Sequence, residues 1–542
     1  MDAASRMKDM LLTSSGWHRK LRNRDTRAAR RLHRSCIGCW TPHYDQVARG
    51  MHAAARGSSW ARDAGRPCCS NNGDCVLGLC VCRGGAFGID CAHSGKLADS
   101  PPPRRRRAFG IYVYDVPAEF GSAGFASPRH GPQGSLYWAE RAFVDLLVRD
   151  DAVRTLDPHA ADLFFVPLWA VELASNTGCA KAHVDVVIAH LRGRYPFWNR
   201  TDGADHVILL AGDKGACGLG PTNAIVLSHW GLLGPWSTMD PHNGAKYWAA
   251  IGRDTNRLAA SFSKGEACHS PHKDIVIPPF HMIYGTMALP TPPSRRAARY
   301  ALVHAGGIWS WKNVGPRHNQ LYSQGVRQAL WARFGSDPGG SNGSVSGVPR
   351  PILLTPRAVT DDVWLDSQLC LAPSGEGFGQ RVSKFALLGC VPLIAQPYVS
   401  QPFDELLRYD RFSRRIHAIE EVSSSSRLAD MLRALDSADD EIAAMREELA
   451  SVRGAFVWDV SEGGWAYNLT IRALCMRAIE LRGQLHSGAT SCDAAAARTG
   501  APFLDRSSQP PTWWPRPLVT AVERLKADRR SSLGSSRVRS VS

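Results

Sequence analysis

The sequence predicts an α/β protein made of two doubly wound domains facing a cleft, with a small cysteine-dense module in front. Three observations predict it. Apolar, β-branched runs alternate with stretches of helical period, the pattern of βαβ units and parallel sheets. This alternation covers about 400 residues, too many for one sheet, so two sheets are expected. A glycine-rich stretch, Pro373 to Arg381, sits between an apolar run and a helical one, the strand–loop–helix context of phosphate sites.

Taken in order, Phe109 to Tyr114 is aromatic and β-branched and is closed by Asp115-Val116-Pro117, a buried strand and a turn. Tyr137 to Val153 carries Ala142, Phe143, Leu146 and Leu147 at helical spacing. Asp157-Pro158 breaks the chain, and Leu163 to Val166 is a second strand. Val184 to Leu191 reads as helix, and His206 to Leu210 as a third strand. Asp274 to Ile277 and Tyr300 to Val303 are strands followed by loops. Leu321 to Phe334 is a helix, and 335–349 is a Gly/Ser/Pro loop. Ser367 to Leu371 is a strand leading into the glycines, Val382 to Leu388 a helix, and Cys390 to Ile394 another strand. Ser426 to Val452 reads as one long amphipathic helix.

The net charge of +16 invites a nucleic-acid partner, but its distribution argues against one. Residues 1–107 hold 20 Lys/Arg against 8 Asp/Glu, and 501–542 hold 8 against 3, which leaves the body between them near neutral at −1. A nucleic-acid footprint would be a basic face on a folded domain, so no nucleic acid is expected as partner. Hydrophobic residues make up 44% and charged residues 21%, which excludes wholesale disorder. No stretch reaches about 18 apolar residues, and the Arg-rich start lacks the apolar core of a signal peptide.

Eight of the 15 cysteines lie between Cys36 and Cys91. Cys80-x-Cys82, eight residues and Cys91, with Phe87-Gly88 before Asp90, resembles an epidermal-growth-factor-like module of the short tenascin type. Such a module is too small for its own core and depends on disulfides. The resemblance implies a Cys82–Cys91 bridge, with Cys68, Cys69, Cys75 and Cys80 shared between two more. Zinc on Cys36-x-x-Cys39 is the rival reading, and it lacks a second Cys-x-x-Cys. Disulfides imply an oxidising compartment, in line with sequons at Asn199, Asn342 and Asn468.

Within Pro373-Ser374-Gly375-Glu376-Gly377-Phe378-Gly379-Gln380-Arg381, closely spaced glycines let backbone N–H groups approach a diphosphate, and Arg381 adds a two-pronged donor. The stretch is neither a P-loop nor a Gly-x-Gly-x-x-Gly dinucleotide motif. Cys370 and Cys390, on apolar strands, read as buried thiols or a bridge rather than nucleophiles. Asp361-Asp362 and Asp439-Asp440 read as solvated helix or turn residues.

Six motifs in order resemble the exostosin-type glycosyltransferases. They are Ile111 to Pro117; Thr155 to Pro167; Tyr195-Pro196-Phe197-Trp198-Asn199-Arg200 with Gly203-Ala204-Asp205-His206; Gly212 to Cys217; Lys273 to Pro278 with Tyr322 to Arg327; and Ser367 through Arg381 and Gly389 to Phe403. The resemblance covers about residues 109–455. It implies a GT-B architecture of two Rossmann-like domains: 1–66 a basic segment, 67–92 the module, 93–108 a Pro/Arg linker, 109–300 an acceptor domain, 301–480 a nucleotide-sugar domain and 481–542 a basic tail. It further implies transfer of a hexose or pentose from a UDP-sugar to a glycan or glycoprotein, with inversion, in the Golgi. No resident cofactor and no metal are expected, and a partner glycosyltransferase subunit is.

Inverting transfer needs a base for the acceptor hydroxyl and donors that hold the departing diphosphate. Ser374, Gly375, Gly377, Gly379 and Arg381, with Arg327 as a second cation, are the donor-binding set. Asp213 at a strand end leads the candidate bases, followed by Glu376 and His304. A turn cap is the alternative for Asp213. Asp205 reads as a turn cap, His206 as the opening of a buried strand and Trp198 as core. The chain departs from the family at Lys384, where many members carry an acid. That lysine either pairs with phosphate or marks a non-catalytic, glycan-binding adhesion protein that keeps the fold. The family's usual N-terminal anchor is not visible, which suggests a misassigned start.

Overall fold

The computed structural model describes residues 72–76, 79–93, 108–116, 136–171, 180–213, 215–217, 219, 222–233, 269–281, 298–308, 323, 326–334, 341–375, 377–396, 399–416, 427–436, 438–458 and 463–492. Cys36, Cys39, Cys68, Cys69 and Glu376 lie outside them, as do the side chains of Cys75, Cys80 and Asn342.

A hairpin of β1 (Gly73–Val76) and β2 (Leu79–Cys82) comes first, and the Cys82–Cys91 bridge closes the loop after it. It is bound to the body rather than tethered. Asp90 forms a two-pronged ion pair with buried Arg154, one contact of which is 2.7 Å. His93 stacks on Phe87 and meets the edge of Tyr112.

The first sheet contains β3 (Ile111–Val113), β4 (Arg154–Thr155), β5 (Leu163–Val166), β6 (His206–Leu210), β7 (Ile225–Ser228) and β9 (Ile275–Val276). Its order is β4-β3-β5-β6-β7-β9 and every pairing is parallel. Every residue of β5, β6 and β7 is buried, which is why these strands read as unbroken apolar runs rather than alternating ones.

The second sheet contains β10 (Tyr300–Ala305), β11 (Ser341–Val345), β12 (Val348–Thr355), β13 (Ser367–Pro373), β14 (Pro392–Ala395) and β16 (Arg414–Arg415). Its order is β11-β12-β10-β13-β14-β16, parallel except for the β11–β12 hairpin. Between the sheets, β8 (Gly231–Leu232) pairs antiparallel with β15 (Val399–Ser400), so one strand from each half closes a seam. One apolar cluster runs through both halves, from Ile111 and Phe165 to Phe385 and Leu474.

Several elements differ from the sequence reading, among them the following. The expected loop at 335–349 contains β11 and the start of β12. Pro349 and Pro351 obscured β12, but both precede Ile352–Thr355, the part that pairs with β10. The long helix is two, Arg427–Asp436 and Asp439–Val452, restarted where Asp439, Asp440 and Glu441 favour a helix N-terminus. Strand β7 and the helix Ala466–Arg482 went unread. That helix is buried around much of its circumference, so it shows no apolar stripe. Although 301–480 was expected to be one unit, this helix lies against the first sheet, where Arg482 reaches Asp205 at 2.8 Å.

Cys370 and Cys390 form a bridge between the start of the glycine-bearing βαβ unit and its return strand. A closed loop of this size contributes about 3 kcal/mol. Replacing both cysteines with alanine is expected to lower the denaturant midpoint and to steepen the slope, because the unbridged unfolded chain exposes more surface. An unmoved midpoint would refute the assignment.

Candidate active site

The C-terminal ends of β10 and β13 lie side by side, and two arginines tie the loops that leave them. Arg327 donates from Nη1 to the Gly307 carbonyl (2.7 Å) and from Nη2 to the Ser374 carbonyl (2.9 Å). Arg381, first residue of the helix Arg381–Leu388, donates from Nη1 to His304 Nδ1 (2.8 Å) and from Nη2 to the Ala305 carbonyl (2.6 Å). Gly306, at φ +128°, leaves room for this guanidinium, because a Cβ there would strike Arg381 Nη2. The structure thus brings Ser374, Arg327, Arg381 and His304 together.

The place of His304 in that set differs from expectation. A guanidinium only donates, so His304 Nδ1 is the acceptor and its ring proton sits on Nε2. Burial, then the charges of Arg381 and Arg327, push its pKa well below the ordinary histidine range. With Nδ1 accepting from Arg381, the remaining ring nitrogen of His304 carries the proton and is a donor, not the lone pair a base needs.

The glycines differ too. A Cβ on Gly377 would meet the Asp213 carbonyl, and one on Gly379 would stand 2.6 Å from the Gln396 amide and 2.8 Å from the Pro373 carbonyl. Close packing therefore accounts for both. Gly375 alone of the three has ordinary room. Lys384, one turn after Arg381 on the same helix, is exposed, and the two cations lie 5.9 Å and 6.0 Å from the Trp364 ring centre.

The first sheet presents its own strand ends to this loop. Asp213 follows β6; its carboxylate accepts the Tyr137 hydroxyl (2.7 Å) and its carbonyl accepts the Phe378 N–H (3.3 Å). Phe378 is packed with Trp230, Leu232 and Val399. His229, directly after β7, lies 5.0 Å from the Phe378 ring and is bonded at Nδ1 to the Ile277 carbonyl (3.0 Å). Burial lowers the His229 pKa to about 4. Burial, then the charges of His229 and Lys384, brings His281 to about 4 as well. In the sequence Tyr137 reads only as the start of a helix, β7 offers only four strand residues, too few to mark His229 as a strand end, and no local pattern marks His281.

Asp205 and His206 are structural. His206 is fully buried between Asp205 (2.8 Å) and the Tyr114 hydroxyl (2.8 Å). Burial opposes the Asp205 charge, but His206, Arg482 and Thr201 hold its pKa well below the usual carboxylate range. Trp198 is core, 2% exposed beneath Gly203. Asn199 is exposed, whereas the sequon threonine of Asn468, Thr470, is buried and bonded to the Ala466 carbonyl (2.8 Å).

Residues 105–429 match the family model described as the exostosin GT47 domain. The chain is similar to a probable glucuronoxylan glucuronosyltransferase of Arabidopsis thaliana, 28% identical over 318 residues, which covers 56% of this chain and 60% of that one. It is also similar to a second probable glucuronoxylan glucuronosyltransferase of the same plant, 26% identical over 374 residues, which covers 65% and 72%. Anabaena Alr3699/HepE, solved with UDP-glucose, aligns with 67% of this chain and 99% of its own at 12% identity and a TM-score of 0.28, too loose a likeness to bear on function.

Proposed function

The chain belongs to the exostosin GT47 family, and on that premise we propose that it transfers a sugar from a nucleotide-sugar, a UDP-sugar, to a glycan or glycoprotein acceptor with inversion. The observation that carries this reading is the facing of strand ends. Two cations and a helix N-terminus of the second sheet stand across a seam from Asp213 and His229 of the first. The second-sheet side suits a diphosphate and the first-sheet side an acceptor hydroxyl. Two relatives carry glucuronosyltransferase names, which puts UDP-glucuronic acid first among the donors. Bridges at Cys82–Cys91, Cys370–Cys390 and Cys475–Cys492 support an oxidising lumen, and the Golgi is our proposal. The hairpin supports reading 67–92 as the epidermal-growth-factor-like module.

The second reading, a glycan-binding protein without turnover, rests on Lys384, which stands beside Arg381 at the Trp364 ring where many family members carry an acid. One experiment separates them. The full chain, secreted from a eukaryotic host, is offered UDP-glucuronic acid, UDP-glucose, UDP-galactose and UDP-xylose, and released UDP is measured. Turnover of one donor establishes the enzyme. A folded protein that neither releases nor binds UDP is the glycan-binding form.

A further inference from the structure

The two seam histidines are fixed in opposite tautomers. His304 carries its proton on Nε2 because Arg381 donates to Nδ1. His229 carries its proton on Nδ1, because the Ile277 carbonyl can only accept, and this leaves a lone pair on Nε2. The His229 residue is 5% exposed; its Nε2 is shut off from solvent in this state and has no hydrogen-bond partner among the described residues, so an acceptor hydroxyl reaches it only once the seam opens. A buried acceptor left unmade costs about 1–3 kcal/mol, so this one calls for an explanation. Its position supplies one. His229 leaves the end of β7 and lies against Phe378, three residues before Arg381, with the diphosphate-holding loop across the seam.

We propose that His229 is the catalytic base, its Nε2 taking the proton of the acceptor hydroxyl as that oxygen attacks the anomeric carbon. The proposal rests on the glycosyltransferase reading above. In the step, the bond from acceptor oxygen to anomeric carbon forms and the proton moves to Nε2. The bond from anomeric carbon to diphosphate oxygen breaks, and its electron pair leaves on UDP. The imidazolium then returns its proton to water. Inversion needs base and leaving group on opposite faces of the sugar, and the seam puts His229 and Arg381 on opposite sheets. Asp213 faces the same seam, where one of its carboxylate oxygens accepts the Tyr137 hydroxyl.

The test uses the full chain with two variants and water as the acceptor. His229→Asn keeps an N–H for the Ile277 carbonyl but removes the Nε2 lone pair, and His229→Ala removes the ring. Both are expected to bind UDP as the wild type does, by calorimetry, and to release UDP from the donor about 10²–10⁴-fold more slowly. Added imidazole is expected to restore part of the His229→Ala rate, which a merely structural role would not allow. Turnover by His229→Asn within about threefold of wild type overturns the proposal. If neither variant folds, the wild-type structure with UDP bound decides. Nε2 must lie within about 9 Å of the β-phosphorus, the reach of one hydrogen bond, one near-attack contact, one C–O bond and one O–P bond. A longer gap overturns the proposal. Wild type that neither binds nor releases UDP refutes the underlying reading instead.

Discussion

Arg381→Ala is expected to slow donor turnover about 10²–10³-fold, the usual loss when one preorganised donor to a developing anion is removed. The side chain has two jobs. It supplies charge at the start of a helix that follows the glycine loop, where a departing diphosphate gathers negative charge. It also fixes the end of β10, holding His304 Nδ1 and the Ala305 carbonyl at once. Gly306 is shaped to that guanidinium, so the truncation leaves a gap that no neighbouring side chain is built to fill. Arg381→Lys keeps the charge but not the planar fork, and is expected to recover less than about a tenth of the activity. Steady-state UDP release, beside UDP affinity, checks both variants. Wild-type turnover in Arg381→Ala would remove the arginine from the site.

Arg477→Ala is expected to destabilise the fold by about 3 kcal/mol, the lower end of the range for breaking a buried ion pair. The guanidinium is 2% exposed. It donates twice to Glu405, at 2.7 Å each, and once to Glu480 at 3.1 Å, while Nε reaches the Lys273 carbonyl at 3.2 Å. Burial works against its charge, and Glu405 and Glu480 more than restore it, so its pKa is raised above the ordinary arginine value. The partners are 26% and 19% exposed, so water compensates part of what they lose, which places the cost at the lower end. Three segments meet here: the returning helix, the β9 approach and the turn before Tyr409. A fall in the denaturant midpoint together with lost turnover is expected. An unchanged midpoint would show that the cluster is incidental.

Much of the fold was legible because its strands are buried on both faces. His206-Val-Ile-Leu-Leu210 and Ser367 to Pro373 leave little alternative to strands of parallel sheets. The glycine loop was legible as a junction, but the reason for its glycines was not. Gly377 is small because the Asp213 carbonyl, 164 residues away in the chain, occupies the space a Cβ needs, and no local pattern announces such an approach. His229 was hidden for a related reason. A histidine acquires a role from the atoms around each ring nitrogen, and those belong to Ile277 and Phe378, far from it in sequence. The helix Ala466–Arg482 shows a third limit, since an element covered on most sides has no periodicity to read.

The seam carries a kinetic consequence. The β8–β15 ladder, the Phe403 N–H to Val276 carbonyl bond (2.9 Å) and the Phe378 N–H to Asp213 carbonyl bond join the halves backbone to backbone. At about 1 kcal/mol for each tie, separating the halves costs roughly 3 kcal/mol before any apolar surface is counted. Fewer than about one molecule in a hundred is then parted at any moment. The latch is normally shut. A spent nucleotide that needs the halves apart waits on that rare event, so its residence time, rather than bond-making, would pace each cycle.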